Sequence, residues 1–375
     1  MKYTFFGIGS ALLMSGLLHS SSAIAESQIV ISNAALQIGG DFRYRHEYID
    51  DATKDEPRGR QRFRLRLSID AEVTDNIHVI GRIATGSSDA TSTNQTADGA
   101  FSSKESWIDL AYVKVKPSII PSSSIQAGKM KNPFKRVGKS QLIWDGDVNP
   151  EGVSFSLSPN RNGLLFGANA AYFWIDEISG SKYDVTMAGG QAYVGLKGDL
   201  GSLTVGGGVY DFRNVLESKA LTDDGFNGNM SLAGGEGEDD VYLNGYTLTN
   251  TFAELKLKQL PVSVYADFVQ NIDALDGDNM GWLFGGSIGN DKKGDLPIKL
   301  SYFYREVERD AVIAAFSDSD FGGGGTDNSG HVGKLSLGLN KYSKLSATYF
   351  SNIRKVASGD NNAYDRAQFD INVKF

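Results

Sequence analysis

The chain has 375 residues, no cysteine, 44 glycines, 11% aromatics and a net charge of −8 from 37 basic and 45 acidic side chains. Without cysteine there is neither a disulfide framework nor a thiolate metal site, and the acidic balance lacks the basic footprint of a nucleic-acid binder. Abundant glycine and aromatics beside only 8 prolines suit many strands joined by tight turns.

Residues 1–25 carry one charge, Lys2, then an apolar run from Phe5 to Leu18 and the sequence Ala23-Ile24-Ala25. This is the pattern of a secretory signal peptide, with cleavage expected before Glu26. The run is too short and too poorly flanked for a lasting transmembrane helix. Loss of Lys2 moves the net charge from −8 to −9. No composition shift divides residues 26–375, so one domain is expected.

The first strand is expected at Leu36–Tyr48, with Leu36, Ile38, Phe42, Tyr44 and Tyr48 on one face and Gln37, Asp41, Arg43, Arg45 and Glu47 on the other. The second, Arg60–Val73, is the clearest in the chain. Phe63, Leu65, Leu67, Ile69, Ala71 and Val73 alternate strictly with Arg62, Arg64, Arg66, Ser68, Asp70 and Glu72, which is the period of a strand with one apolar and one charged face. At ~3.3 Å per residue it extends to roughly 40 Å, enough to cross a membrane at a tilt. Further strands are expected at Ile77–Thr85, Trp107–Val115, Ile125–Met130, Val153–Leu157, Leu164–Ile175, Val185–Lys197, Leu203–Phe212 and Thr247–Lys258. The last six are Val262–Val269, Gly281–Ile288, Ile298–Arg305, His331–Asn340, Leu345–Phe350 and Tyr364–Phe375, making about sixteen.

The connections sort by parity. Those after even-numbered strands are mostly short, such as Thr74–Asn76, Gly198–Ser202, Gln259–Pro261 and Lys341–Lys344. Those after odd-numbered strands are mostly long, among them Gly86–Ser106, Lys131–Gly152, Arg213–Tyr246 and Glu306–Gly330. An antiparallel transmembrane β-barrel with short periplasmic turns and long extracellular loops gives this rhythm, and a soluble sandwich does not. The apolar faces are nearly free of charge, as hydrocarbon demands, since a Lys or Arg at mid-bilayer costs ~2–4 kcal/mol. The sheet must close because lipid leaves no partner for open backbone groups. Tyr44, Tyr48, Trp174, Trp282, Tyr302 and Tyr304 are candidates for interfacial girdles. The final strand alternates to the end, and the terminal Phe375 has the character of an assembly signal for the barrel assembly machinery.

No catalytic constellation is evident. His46, His78 and His331 lie far apart, no G-x-S-x-G is present, and the glycine runs Gly206–Gly208 and Gly322–Gly325 lack the following Lys-Ser/Thr of a phosphate loop. The acidic clusters Asp223-Asp224, Glu236–Asp240, Asp273–Asp278, Asp318 and Asp320 do not match a calcium loop and are expected to be solvated surface. No metal or cofactor is expected. The arginines are more informative. A first hairpin symmetric about its Asp50–Gly59 loop sets Arg43 opposite Arg66, Arg45 near Arg64 and Glu47 near Arg62, and the turn at Thr74–Asn76 brings Arg82 beside Ser68. Arg43, Arg45, Arg62, Arg64, Arg66 and Arg82 then form one basic wall facing inward. Like charges across strands are destabilising, so water, anions or carboxylates must offset them. The loop Lys131–Gly152, with Lys129 and Lys131 at its start, carries Asp145, Asp147 and Glu151; folded inward, it would narrow the lumen and set acids against the arginines.

Four segments carry a family resemblance: RQRFRLRL at Arg60–Leu67, WIDLAY at Trp107–Tyr112, GKMKNPF at Gly128–Phe134 and LIWDGDVNPEGV at Leu142–Val153. They resemble the putative porin family of Gram-negative outer membranes, from about Leu36 to Leu157; beyond that only strand pattern matches. The resemblance implies a trimeric or otherwise oligomeric barrel among outer-membrane lipid and lipopolysaccharide, passing small hydrophilic solutes. Members often carry a helical coiled-coil stretch before the barrel, for which Glu26–Ala35 is too short. The expected function is a passive water-filled channel with weak anion preference. A solute-specific anion channel and a non-conducting surface or adhesion barrel are the alternatives.

Overall fold

The computed structural model describes residues 29–31, 34–180, 182–236, 238–275, 277–292, 297–355, 357 and 359–375; the expected signal peptide lies outside them. Sixteen long strands form the wall. The first six are β1 (Ala34–Asp51), β2 (Arg58–Thr74), β3 (Ile77–Thr85), β4 (Ser106–Val115), β5 (Ser123–Lys129) and β6 (Glu151–Leu157). Five follow as β7 (Leu164–Asp176), β8 (Val185–Lys197), β9 (Gly201–Arg213), β10 (Tyr246–Leu257) and β11 (Val262–Asn271). The rest are β12 (Met280–Gly289), β13 (Ile298–Val307), β14 (Asn328–Gly338), β15 (Ser343–Arg354) and β16 (Asn362–Lys374). Each pairs antiparallel with the next, and β16 returns to β1 over Asp41↔Lys374 to Asp51↔Tyr364. The sheet is therefore a closed all-β barrel. Its helical content among the described residues is confined to single turns, and no helix there is long and apolar enough to cross a membrane.

Alternation decides which way each side chain points. On β2, Leu65, Leu67, Ile69 and Val73 are exposed on the outer face while Arg64 is 9% exposed inside. On β16, Phe369 and Ile371 are exposed outside, and Arg366, Gln368 and Asp370 are buried inside. Tyr44, Tyr48, Trp174 and Tyr302 also stand on the outer face. The turns after even-numbered strands are mostly short, two residues at 75–76 and three at 198–200. The long connections lie at the other rim.

Two of those long connections turn into the barrel. The segment 130–150 between β5 and β6 packs Phe134, Leu142, Ile143, Trp144 and Val148 against Phe173, Met187, Tyr210, Phe212 and Leu283 on the inner wall. The segment 308–327 between β13 and β14 adds Ala311, Val312, Ile313 and Ala315 to the same cluster. A run of left-handed glycines, Gly322 to Gly325, with φ between 59° and 105°, lets this second segment double back where a side chain would be strained. The barrel interior is thus packed with apolar side chains along β7 to β12. Its charged wall lies across from that, on β16, β1, β2 and β3. β5 and β6, with 7 residues each, are the shortest of the sixteen.

Candidate functional site

The β1–β2 register sets Asp41 opposite Arg66, Arg43 opposite Arg64, Arg45 opposite Arg62 and Glu47 opposite Arg60. This differs by two residues from the symmetric hairpin expected from the loop. The reason lies at the upper end of β1, where Asp50 and Asp51 pair with β16 alone and are lost to the hairpin. The shift matters electrostatically, because it places carboxylates among the arginines. Asp41 accepts from Arg64 Nη2 at 2.7 Å and Arg66 Nε at 2.8 Å. Glu47, fully buried, accepts from Arg60 Nε at 2.5 Å and Arg366 Nη2 at 2.8 Å. Arg45 makes a forked pair with Asp370 at 2.6 and 3.0 Å, the planar geometry that favours arginine over lysine. Arg82 lies opposite Ser68, as the turn at Thr74–Asn76 requires, and is paired with Asp109.

Not every arginine is matched. Arg43 donates to the Asn94 side chain, and no carboxylate lies within ion-pair distance of it among the described residues. Arg62 reaches Glu47 only at 3.8 Å and otherwise bonds Ser92 and the Asn94 carbonyl. Buried Nε atoms of Arg43, Arg62, Arg64 and Arg366 have no acceptor among the described residues. Ser92 and Asn94 both come from the connection between β3 and β4, whose Gln95-Thr96 adds to the edge of β2.

The two inward segments meet the wall from across the lumen. Asp147 approaches Arg66 at 3.3 Å and Arg64 at 3.8 Å. Asp320, from 308–327, lies 3.2 Å from Arg45 and 2.8 Å from Arg366. Burial alone would raise the Asp320 carboxyl; Arg366 and Arg45 instead hold it well below the usual carboxylate range. Trp144 anchors 130–150, with ring contacts to Phe134, Tyr210, Phe212 and Phe316. The next residue, Asp145, turns away from the arginines. Its amide donates to the Phe316 carbonyl at 2.7 Å and its carboxylate accepts from Ser319 N at 3.0 Å, so it ties one inward segment to the other. Burial and the nearby Asp318 push Asp145 well up, and burial likewise raises Asp318.

The remaining sequence-derived candidates fall elsewhere. Lys131 lies on the lumen side, where burial and the nearby Arg82 and Arg66 lower its amine; it belongs with the basic wall. Lys129 and Glu151 form a 2.9 Å pair on the outer face at the ends of β5 and β6. They share strand parity with the exposed Ile125 and Val153, so Glu151 does not oppose the arginines. Asp318 is 3% exposed and Asp320 is ion-paired, so neither is the solvated loop acid that their sequence suggests. The wall also holds Arg60, Arg366, Asp109 and Asp370, which the sequence does not single out, and Asp320, which sequence alone places among solvated loop acids. Arg366 was within reach, being on the same parity as Gln368 and Asp370. Asp320 was not, since only the fold brings it to β1.

Comparison with known proteins agrees with this architecture. A family model described as "Putative porin" matches residues 32–256 and 238–375. The structure of Pseudomonas putida OprB at high pH superposes with a TM-score of 0.61 at 9% identity, over 91% of this chain and 94% of that one. A mutant of the Rh. blastica porin gives 0.54 at 10% identity, over 91% and 100%. At such identities the likeness is one of fold alone. No curated protein matches the chain. The family match spans nearly the whole barrel, including both inward segments and the arginine wall, and the chain accordingly belongs to the putative porin family.

Proposed function

We propose that the chain is a narrow, passive channel of the outer membrane for small hydrophilic solutes and ions, with weak anion preference. One observation carries this reading: the lumen wall holds arginines that its own carboxylates do not fully match, Arg43 and Arg62 foremost. Barrels of about 16–18 strands enclose an aqueous lumen. Between low-dielectric walls a few charges dominate the field. The overall excess of acids lies largely in the outer connections, screened beyond ~8 Å at physiological salt. Arg43, Arg45, Arg62, Arg64, Arg66, Arg82 and Lys131 form the basic side of the constriction, and Asp147 with Asp320 the acidic side. Residues 26–375 form the mature single domain after signal-peptide removal. It assembles through the barrel assembly machinery with Phe375 as signal, and works as a homo-oligomer, a trimer, among lipid and lipopolysaccharide.

The test is the reversal potential under a salt gradient in planar bilayers. Arg43→Gln with Arg62→Gln is expected to shift selectivity toward cations. A conducting channel with no shift would show that these arginines do not line the ion path. A solute-specific channel is the second reading, favoured by the packing of both inward segments into the upper lumen; saturable block by one solute distinguishes it.

A further inference from the structure

A second basic feature lies below the arginine wall, toward the short turns. β13, β14, β15 and β16 carry Lys299, Lys334, Lys344 and Lys374 on one continuous face. Parity fixes that face as the inner one: Leu300, Leu335, Leu345 and Ile371 are exposed outside, while Arg305, Ser336, Ser346 and Asp370 are buried inside. The register keeps the lysines on adjacent ladders, Lys299 opposite Ser336, Lys334 opposite Ser301 and Thr348, and Lys344 opposite Gly338 and Asn372. Lys139 joins them from the inward segment 130–150. Gly138, whose amide donates to Glu254 at 3.0 Å, fixes the turn, and Lys139 itself is held at φ 65°, a conformation seldom adopted without constraint. Burial and the nearby Lys344, Lys299, Lys374 and Lys292 lower its amine.

The carboxylates in range are already engaged. Asp291 lies 3.5 Å from Lys344, Asp370 is forked by Arg45, Asp41 is shared by Arg64 and Arg66, and Glu254 pairs with Lys256 at 2.6 Å. Among the described residues, Lys139, Lys299, Lys334 and Lys374 have no ion pair. Gathered amines repel one another, and an anion with several charged oxygens relieves that repulsion at several amines at once.

We propose that this lysine-lined vestibule binds small multivalent oxyanions entering from the periplasmic side. A monovalent anion meets only one or two amines, so valence rather than size sets the affinity. The inference rests on the channel reading for its access route, but the binding itself does not.

Two measurements separate these. In planar bilayers, inorganic triphosphate added on the short-turn side is expected to block current at roughly tenfold lower concentration than on the other side, tenfold being ~1.4 kcal/mol. Citrate should block less strongly than triphosphate and monovalent chloride not at all. Lys299→Gln with Lys344→Gln, or Lys139→Gln alone, should abolish the asymmetry while leaving the open channel conducting. Equilibrium dialysis of labelled triphosphate against detergent-folded barrel gives binding without conduction. A channel that conducts but shows equal block from both sides, unchanged in the lysine variants, overturns the proposal. A barrel that does not conduct yet binds triphosphate in a lysine-dependent way overturns the channel reading and upholds the site.

Discussion

Gly40 sits where the last strand meets the first, and its lack of a side chain lets Phe375 lie across the seam. Its amide donates to the Phe375 carbonyl at 2.8 Å and its carbonyl accepts from the Phe375 amide at 3.1 Å. A Cβ here would stand 2.5 Å from the Arg66 carbonyl oxygen and 2.7 Å from the Phe375 ring. Gly40→Val is therefore expected to destabilise the seam by ~1–3 kcal/mol and to lower the yield of heat-modifiable barrel on refolding. Gly81→Val is the control, because a Cβ there meets nothing within 4 Å. Equal yields from the two variants would remove the steric argument. At this scale, alternation alone told which residues of Arg60–Val73 face the lumen. It could not tell which carboxylates meet them. Asp370 and Asp320 reach Arg45 from more than 270 residues away, and a two-residue error in one hairpin exchanged the partners of every arginine on it.

The two inward segments form a junction whose strength depends on proton uptake. Asp145 and Asp318 are raised above the ordinary carboxylate range, chiefly by burial. Such groups favour the folded arrangement when protonated, and that contribution fades as pH rises through their raised values. Asp320 runs the other way, since its ties to Arg366 and Arg45 persist until pH falls through its lowered value. Arg305, Arg136 and Asp147 are the other charges facing this junction; Arg305 partly offsets Asp318, and Arg136 donates to the Trp144 carbonyl at 2.8 Å. Above the ordinary carboxylate range, acidification should thus tighten the junction without releasing Asp320. Single-channel current is expected to fall over that window. Asp145→Asn with Asp318→Asn should show the low current at neutral pH already. A pH response that survives the double substitution would place the switch elsewhere. Sequence could suggest that 130–150 turns inward, because its carboxylates offer the arginine wall a counter-charge. It gave no such sign for 308–327, whose alanines and glycines carry little pattern until the cluster around Trp144 is assembled.

The barrel as a whole was the most legible level. Strand count and the long–short parity of connections depend on many separate local signals, and errors of two or three residues at strand ends do not change them. Strand height was less visible, and it varies around the wall. β5 and β6 contribute 7 paired residues each, which at ~3.3 Å per residue and ~45° tilt rise roughly 16 Å. One further bonded pair at each end, Ser158 with Ser122 and Met130 with Pro150, brings this to about 21 Å. The apolar band of an outer-membrane barrel is ~25 Å tall. The wall is lowest on this side, so here the bilayer must thin most, or protein must cover the gap, and thinning costs fractions of a kcal/mol per Å. On the oligomeric reading proposed above, hydrophobic mismatch would favour this sector of the circumference for contact with another copy. Cysteines are clean probes here, since the chain has none. Val153→Cys is expected to cross-link between copies in thick bilayers more than in thin ones, and Phe284→Cys, across the barrel, in neither. Equal cross-linking from both positions would mean that the low wall is filled by lipid.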